Sequence, residues 1–386
     1  MPQDAHLGRA AAGDGRRSAA RLLALLLLVL VSAVTPGRAR AQVEPVHVRV
    51  ERAFDSHDVG LRNPKGLAYS PAADLLYVLE ASAGTGATIV TLATWEERLG
   101  ETRVAVSLAD PINLTYDAAH ARLLLLDSGA REIVAIPVAT DGMPAPAGTP
   151  ARYSIGALGL LAPRGMAVDP ASGALYILDA AALRVVRVDP GAEGDLDGAA
   201  ALGAGRVSRV DLAPAGLVSL RGLALHPHTG HLATLSSGRW LFEFLPTGEE
   251  VAILALPPGE LVDPQGLAFG LSGDATDPPT ATNLYLADTG LVRASTGLER
   301  GRIVELRLAI VHVPGEAPTV QAGLDLAADG DLVLVAPGTY RENVTLRDKA
   351  VTLASWFHTT RDPRHIRGTI LDGDRETVIT VEPTAG

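Results

Sequence analysis

Asp263-Pro264-Gln265-Gly266-Leu267-Ala268-Phe269, followed by Asn283-Leu284-Tyr285-Leu286-Ala287-Asp288, decides the fold. The first run is too short for a helix and opens on a proline. The second is apolar and closes on a carboxylate. Each therefore reads as a strand bounded by turn formers. The same pair recurs upstream: Gly66-Leu67-Ala68 with the run ending at Glu80, Asn113-Leu114-Thr115 with Asp127, Gly165-Met166-Ala167 with Asp179, and Gly222-Leu223-Ala224 with Ser236. Lead residue and closing residue stand 14 apart in the first four copies. They stand 22 apart in the fifth, where residues 272–282 form an insertion.

The lead residues recur at intervals of 47, 52, 57 and 44. Turn formers such as Asp169-Pro170-Ala171-Ser172-Gly173 separate the two strands of a copy, and a third and a fourth apolar stretch follow. Four strands per repeat, without apolar spacing of period 3.6, predict the blades of a β-propeller and exclude a helical solenoid. The fifth copy lacks a fourth strand after Leu308, while residues 46–54 alternate like a strand before the first copy. That stretch is expected to complete the last blade and seal the ring. Five blades follow, with room for a sixth in residues 190–205.

The motif Pro-x-Gly-Leu-Ala then Leu-Tyr-x-x-Asp resembles the NHL-repeat and six-bladed TolB-like propellers, nearest to the SdiA-regulated type, over about residues 43–309. This resemblance implies an architecture. It implies no activity, because these folds host binders and hydrolases alike.

Beyond Val313-Pro314-Gly315 the pattern changes. Residues 320–328 read as a short amphipathic helix. The triplets Val333-Leu334-Val335, Val351-Thr352-Leu353 and Thr369-Ile370-Leu371 then recur every 18 residues, which suggests coils of a parallel β-helix. The run Ala328-Asp329-Gly330-Asp331 to Val335-Ala336-Pro337-Gly338-Thr339-Tyr340, with Thr369-Ile370-Leu371-Asp372-Gly373, resembles the opening of right-handed β-helices of the pectin-lyase-like superfamily. In that family the leading helix caps the solenoid and the catalytic residues lie on later coils. The expected class is thus all-β: a five- or six-bladed propeller (residues 42–311) plus a short, truncated right-handed parallel β-helix (residues 312–386). The gene product is expected to be incomplete at its C-terminus.

Residues 1–41 read as a signal peptide. Arg16, Arg17 and Arg21 precede an apolar run over residues 22–34, and Ala39-Arg40-Ala41 supplies the small-x-small cleavage pattern. That run is short for a bilayer span, and no later stretch is long and apolar enough. The chain is expected to be secreted, extracellular or periplasmic. Its formal charge is −11, and about −15 once six arginines and two aspartates leave with the leader. An acidic chain is a poor partner for nucleic acid or anionic membranes. With no cysteine, thiol catalysis, cysteine metal sites and disulfides are excluded.

The candidate site residues are the closing carboxylates Glu80, Asp127, Asp179 and Asp288. Equivalent positions form a ring in a propeller, and several oxygens converging on one mouth could hold Ca²⁺. A carboxylate at a strand end is also a ready acceptor for backbone N–H groups of the adjoining turn, which is the stronger expectation. A second acidic group, Asp189, Glu193, Asp195 and Asp197, lies in a glycine-rich loop whose spacing departs from the EF-hand pattern. Asp274 and Asp277 mark the fifth-copy insertion. His226, His228 and His231 resemble a metal-binding tract, but their alignment with the 169–173 turn predicts surface decoration. No G-x-S-x-G, H-E-x-x-H or phosphate-cradling glycine loop occurs.

The leading functional expectation is a non-catalytic binding module whose propeller face takes a protein or carbohydrate ligand. The alternatives are a Ca²⁺-assisted ester or lactone hydrolase at the mouth and a truncated polysaccharide lyase.

Overall fold

A computed structural model of the chain describes residues 46–382 apart from 56–58, 83–85, 95–96, 146–148, 213–216, 279 and 293–298. The predicted leader, residues 1–41, lies outside the described residues. No helix among the described residues is long and apolar enough to cross a membrane.

The first strand, β1 (Val46–Asp55), precedes four blades of four consecutive strands; the first three are separate sheets, and β1 joins the fourth edge-on to the fifth. Blade one is β2 (Pro64–Ser70), β3 (Leu75–Ser82), β4 (Gly86–Ala93) and β5 (Arg98–Val104). Blade two is β6 (Pro111–Asp117), β7 (Arg122–Asp127), β8 (Glu132–Pro137) and β9 (Ala151–Ser154). Blade three is β10 (Pro163–Val168), β11 (Leu175–Asp179), β12 (Arg184–Val188) and β13 (Val207–Asp211). Blade four is β14 (Leu220–Leu225), β15 (Leu232–Ser236), β16 (Trp240–Phe244) and β17 (Glu250–Ala255). Blade five has three sequential strands, β18 (Pro264–Leu271), β19 (Thr282–Val292) and β20 (Glu299–Leu308), and takes β1 as its fourth.

The seam closes as the sequence predicts. Strand β1 pairs antiparallel with β20, with Phe54 opposite Ile303 and Val48 opposite Leu308. The ring has five blades. Where a sixth was allowed, residues 190–205, a helical turn and a helix, α1 (Gly198–Gly203), stand instead. The cause is local: Asp197 accepts from the backbone N–H groups of Ala199 and Ala200, and an N-capped alanine run favours helix over strand.

The innermost strands β2, β6, β10, β14 and β18 neighbour one another around the axis, and glycine sets their spacing. A Cβ on Gly165 would stand 2.5 Å from the backbone of Gly222 and Leu223. One on Gly266 would run into the carbonyl of Lys65. Aliphatic side chains fill the space between blades. All six residues of β7 are buried, and burying each Leu contributes about 1.5–3 kcal/mol.

Past the ring the chain turns parallel. Strand β21 (Ile310–Val313) pairs with β22 (Leu332–Val335) across the helix α2 (Val320–Leu326). After β23 (Gly338–Arg341) and β24 (Val344–Arg347), β25 (Thr352–Ser355) joins β22. Two short helices follow, α3 (Phe357–Thr360) and α4 (Arg364–Gly368). Strand β26 (Thr369–Asp372) then pairs parallel with β23, and β27 (Ile379–Glu382) with β24. The regular 18-residue spacing is corrected here. Val333 stands beside Leu353, but Ile370 stands beside Thr339 in a different sheet. The α3–α4 insertion displaces the third triplet. Leu332, Leu334 and Trp356 share one apolar cluster with residues of blades four and five, so this segment continues the propeller core.

Candidate functional site

Each closing residue sits opposite the first residue of its blade's innermost strand: Glu80 opposite Pro64, Asp127 opposite Pro111, Asp179 opposite Pro163, Ser236 opposite Leu220 and Asp288 opposite Pro264. Each turns its oxygens onto the loop entering that strand. Asp127 accepts from the N–H groups of Ala109 and Asp110, both at 2.8 Å. Asp179 accepts from Leu161 at 3.0 Å and Ala162 at 2.9 Å. Asp288 accepts from Val262 at 3.0 Å and Asp263 at 2.7 Å. Glu80 accepts from Arg62 at 3.1 Å, and the Ser236 hydroxyl from Val218 at 3.2 Å. Burial pushes the Glu80 carboxyl up, against the lowering effect of that Arg62 bond. Asp127, Asp179 and Asp288 are fully buried, and Arg184 also donates to Asp179 at 3.0 Å. The carboxylates thus brace the loops that shape one end of the ring.

The position just inside each brace is the x of Pro-x-Gly: Lys65, Ile112, Arg164, Arg221 and Gln265. Ile112, Arg164, Arg221 and Gln265 line a recess of about 390 Å³, together with Ser219, Leu220 and three alanines. Lys65 holds the same register in blade one. Arg221 pairs with Asp263, which also accepts from Gln265 Nε2 at 2.8 Å. Arg164 is exposed. Three of the five x positions thus carry cationic side chains, Lys65, Arg164 and Arg221, the last of them paired with Asp263. The recess offers guanidinium, amide and hydroxyl groups, which can bind carboxylates in bidentate fashion. The Asp263 carboxylate stands at its edge, engaged by Arg221 and Gln265.

Behind the recess the channel is mostly apolar. The far halves of the inner strands, with Leu67, Tyr69, Tyr116, Leu225 and Phe269 among them, line a cavity of about 110 Å³. Sequence reading had not singled out the rim. The signal was there: the x position varies among the copies while its neighbours stay apolar or small, as expected of a ligand-facing position on a repeated frame.

The other sequence candidates do not converge. Asp189 pairs with Arg187, Asp195 accepts from the Asp197 N–H, and Asp197 caps α1. Glu193 is exposed, with a left-handed backbone at φ 54°. Asp274 accepts from Thr276 and Asp277 from Ser272, closing the insertion locally. The histidine tract departs from its prediction. His228 is exposed, but His226 and His231 are buried, because the C-terminal segment covers that turn.

No family model matches the chain, and no curated protein matches it. Among solved structures, the chain is similar to one in the crystal structure of a nidogen/laminin complex, at 20% identity over 59% of this chain and 73% of that one, TM-score 0.38. It is also similar to streptogramin B lyase, at 13% identity over 63% and 65%, TM-score 0.33. A third is the calcium-binding protein regucalcin from Agrobacterium tumefaciens, at 13% identity over 64% and 91%, TM-score 0.35.

Proposed function

We propose that this chain is an exported, non-catalytic recognition module whose propeller mouth takes an acidic partner, either a carboxylate-rich protein segment or an acidic glycan. The observation that carries this reading is a recess lined by two guanidinium groups, Arg164 and Arg221, and the Gln265 amide on an acidic protein, with Arg221 already held by Asp263. Shape and charge there suit a multivalent anion. The parallel sheets of β21–β27 are read as the first coils of a β-helix that extends the recognition surface. Export rests on residues 1–41, and processing would leave a product beginning at Gln42.

The Ca²⁺-assisted hydrolase reading rests on Glu80, Asp127, Asp179 and Asp288. Their acceptors already serve backbone amides, so no observation favours it over binding.

Calorimetric titration with poly-L-glutamate and with polygalacturonate tests the proposal and tells the two partner classes apart. Affinity for one of them is expected to fall at least tenfold in Arg164→Glu/Arg221→Glu and to weaken with salt. Arg152→Glu, on an outer strand of blade two, is expected to leave it unchanged. Failure of both polyanions to bind, or equal affinity in the double variant, would overturn it.

A further inference from the structure

Two apolar strands are each interrupted by one titratable residue. Glu243 lies in Trp240-Leu241-Phe242-Glu243-Phe244, and His312 lies in Ile310-Val311-His312-Val313. They are far apart in sequence, one on blade four and the other on the first strand after the ring, yet they meet. His312 Nε2 stands 3.1 Å from Glu243 Oε1, and His231 Nδ1 stands 2.7 Å from the same oxygen. Donor atoms of all three residues lie within 4.8 Å of one another. His231, Glu243 and His312 are 7%, 4% and 3% exposed. Glu243 Oε2 and His312 Nδ1 are buried without a hydrogen-bond partner.

We propose that His231, Glu243 and His312 form a binding site for a divalent transition metal, best matched by Zn²⁺, that pins the C-terminal segment to blade four. Two imidazoles and one carboxylate are the donor set that Zn²⁺ takes, whereas Ca²⁺ and Mg²⁺ prefer all-oxygen shells. Glu316 lies beside the cluster, accepting from the His312 backbone N–H at 2.9 Å and standing 3.8 Å from His226 Nε2. The free Glu243 Oε2 can complete a bidentate carboxylate.

The experiment uses the full chain, stripped with chelator and titrated with Zn²⁺ by calorimetry. One equivalent is expected to bind. Affinity should fall at least 100-fold in His231→Ala, Glu243→Gln and His312→Ala, but not in His228→Ala, which alters the exposed neighbour. Circular dichroism of each variant checks that the propeller persists. Zinc-edge absorption spectroscopy of the wild-type complex gives a reading independent of folding, and two imidazole ligands with at least one carboxylate oxygen are expected. The absence of a one-equivalent binding event would leave the cluster a hydrogen-bonded imidazole–carboxylate network and overturn the proposal. An all-oxygen shell, or equal loss in His228→Ala, would do the same. Polyanion binding at the mouth is read separately, so failure of either proposal leaves the other standing.

Discussion

Arg52 and Glu305 join across the seam of the ring. Arg52 Nε donates to Glu305 Oε2 at 2.8 Å, from the strand that begins the propeller to the strand that ends it. Glu305 is fully buried and also accepts from the Gly273 N–H at 2.9 Å and from Asn283 Nδ2 at 2.8 Å. The arginine reaches further, donating to the Thr94 carbonyl of blade one at 2.8 Å. One side chain thus ties the N-terminal strand to the last blade and to the first.

Breaking this pair should be costly. Glu305→Ala leaves the Arg52 guanidinium, the Asn283 amide and the Gly273 N–H without their acceptor, and is expected to cost about 3–5 kcal/mol. Arg152→Ala, which removes the half-exposed pair with Glu132, should cost less than about 1 kcal/mol. Urea unfolding of both variants checks the contrast. Equal costs would mean that the seam is not a special point in the ring.

The bracing role of the closing residues gives a second expectation. Asp179→Ala removes two backbone hydrogen bonds and the Arg184 pair, and should cost about 3 kcal/mol. Ser236→Ala loses two neutral hydrogen bonds to one residue, Val218, and should cost about 1–2 kcal/mol. Calcium should leave the wild-type Tm unchanged. A calcium-dependent rise in Tm that vanishes in Asp179→Asn and Asp288→Asn would move these carboxylates from bracing to metal binding.

The ring was legible because each blade repeats its own punctuation, and because the fourth strand missing after Leu308 matched the spare strand at residues 46–54. The mouth was half legible. The closing carboxylates stand out as repeated polar residues, whereas Arg164, Arg221 and Gln265 differ from copy to copy, so only the fold places them on one rim. The histidine cluster was the least legible. The turn before His231 aligns with residues 169–173, which read as exposed, and nothing in the sequence shows that the strand Ile310–Val313 returns against it. The C-terminal coils misled for a different reason: α3 and α4 lie between β25 and β26, so equal spacing in sequence did not give stacking in space.

Close approach of the inner strands makes glycine substitutions unequal. Gly165→Ala places a methyl group against the Gly222–Leu223 backbone, where no flexible side chain can yield, so blade three must shift from blade four. A loss of about 1–3 kcal/mol or more is expected. Gly203, in α1, has open space around its Cβ position, and Gly203→Ala should stabilise by about 0.5–1 kcal/mol through helix propensity. Thermal unfolding of the two variants should move Tm in opposite directions. Shifts of the same sign would refute the wedge argument.

Buried phenols set the alkaline limit of the fold. Tyr77 is 0% exposed, and its hydroxyl donates to the Gly142 carbonyl at 2.7 Å. Burial, aided by the neighbouring Tyr116, pushes its pKa up to about 12. Burial also pushes Tyr285 up, with the Glu305 charge adding to it, and Tyr69 up, with Asp74 adding. A pKa raised in the folded state gives stability that is complete below the unfolded value near 10 and is lost as pH climbs toward the folded value. Between about pH 10 and 12 each such tyrosine should remove about 1.4 kcal/mol per pH unit. Tyr77→Phe should therefore be less stable at pH 8, by about 1 kcal/mol for the lost bond to Gly142, yet decline less steeply above pH 10. Urea midpoints measured from pH 8 to 11.5 test this. The wild-type and Tyr77→Phe curves should converge with rising pH, and curves that stay parallel would mean that Tyr77 ionises as freely in the folded protein as in the unfolded chain.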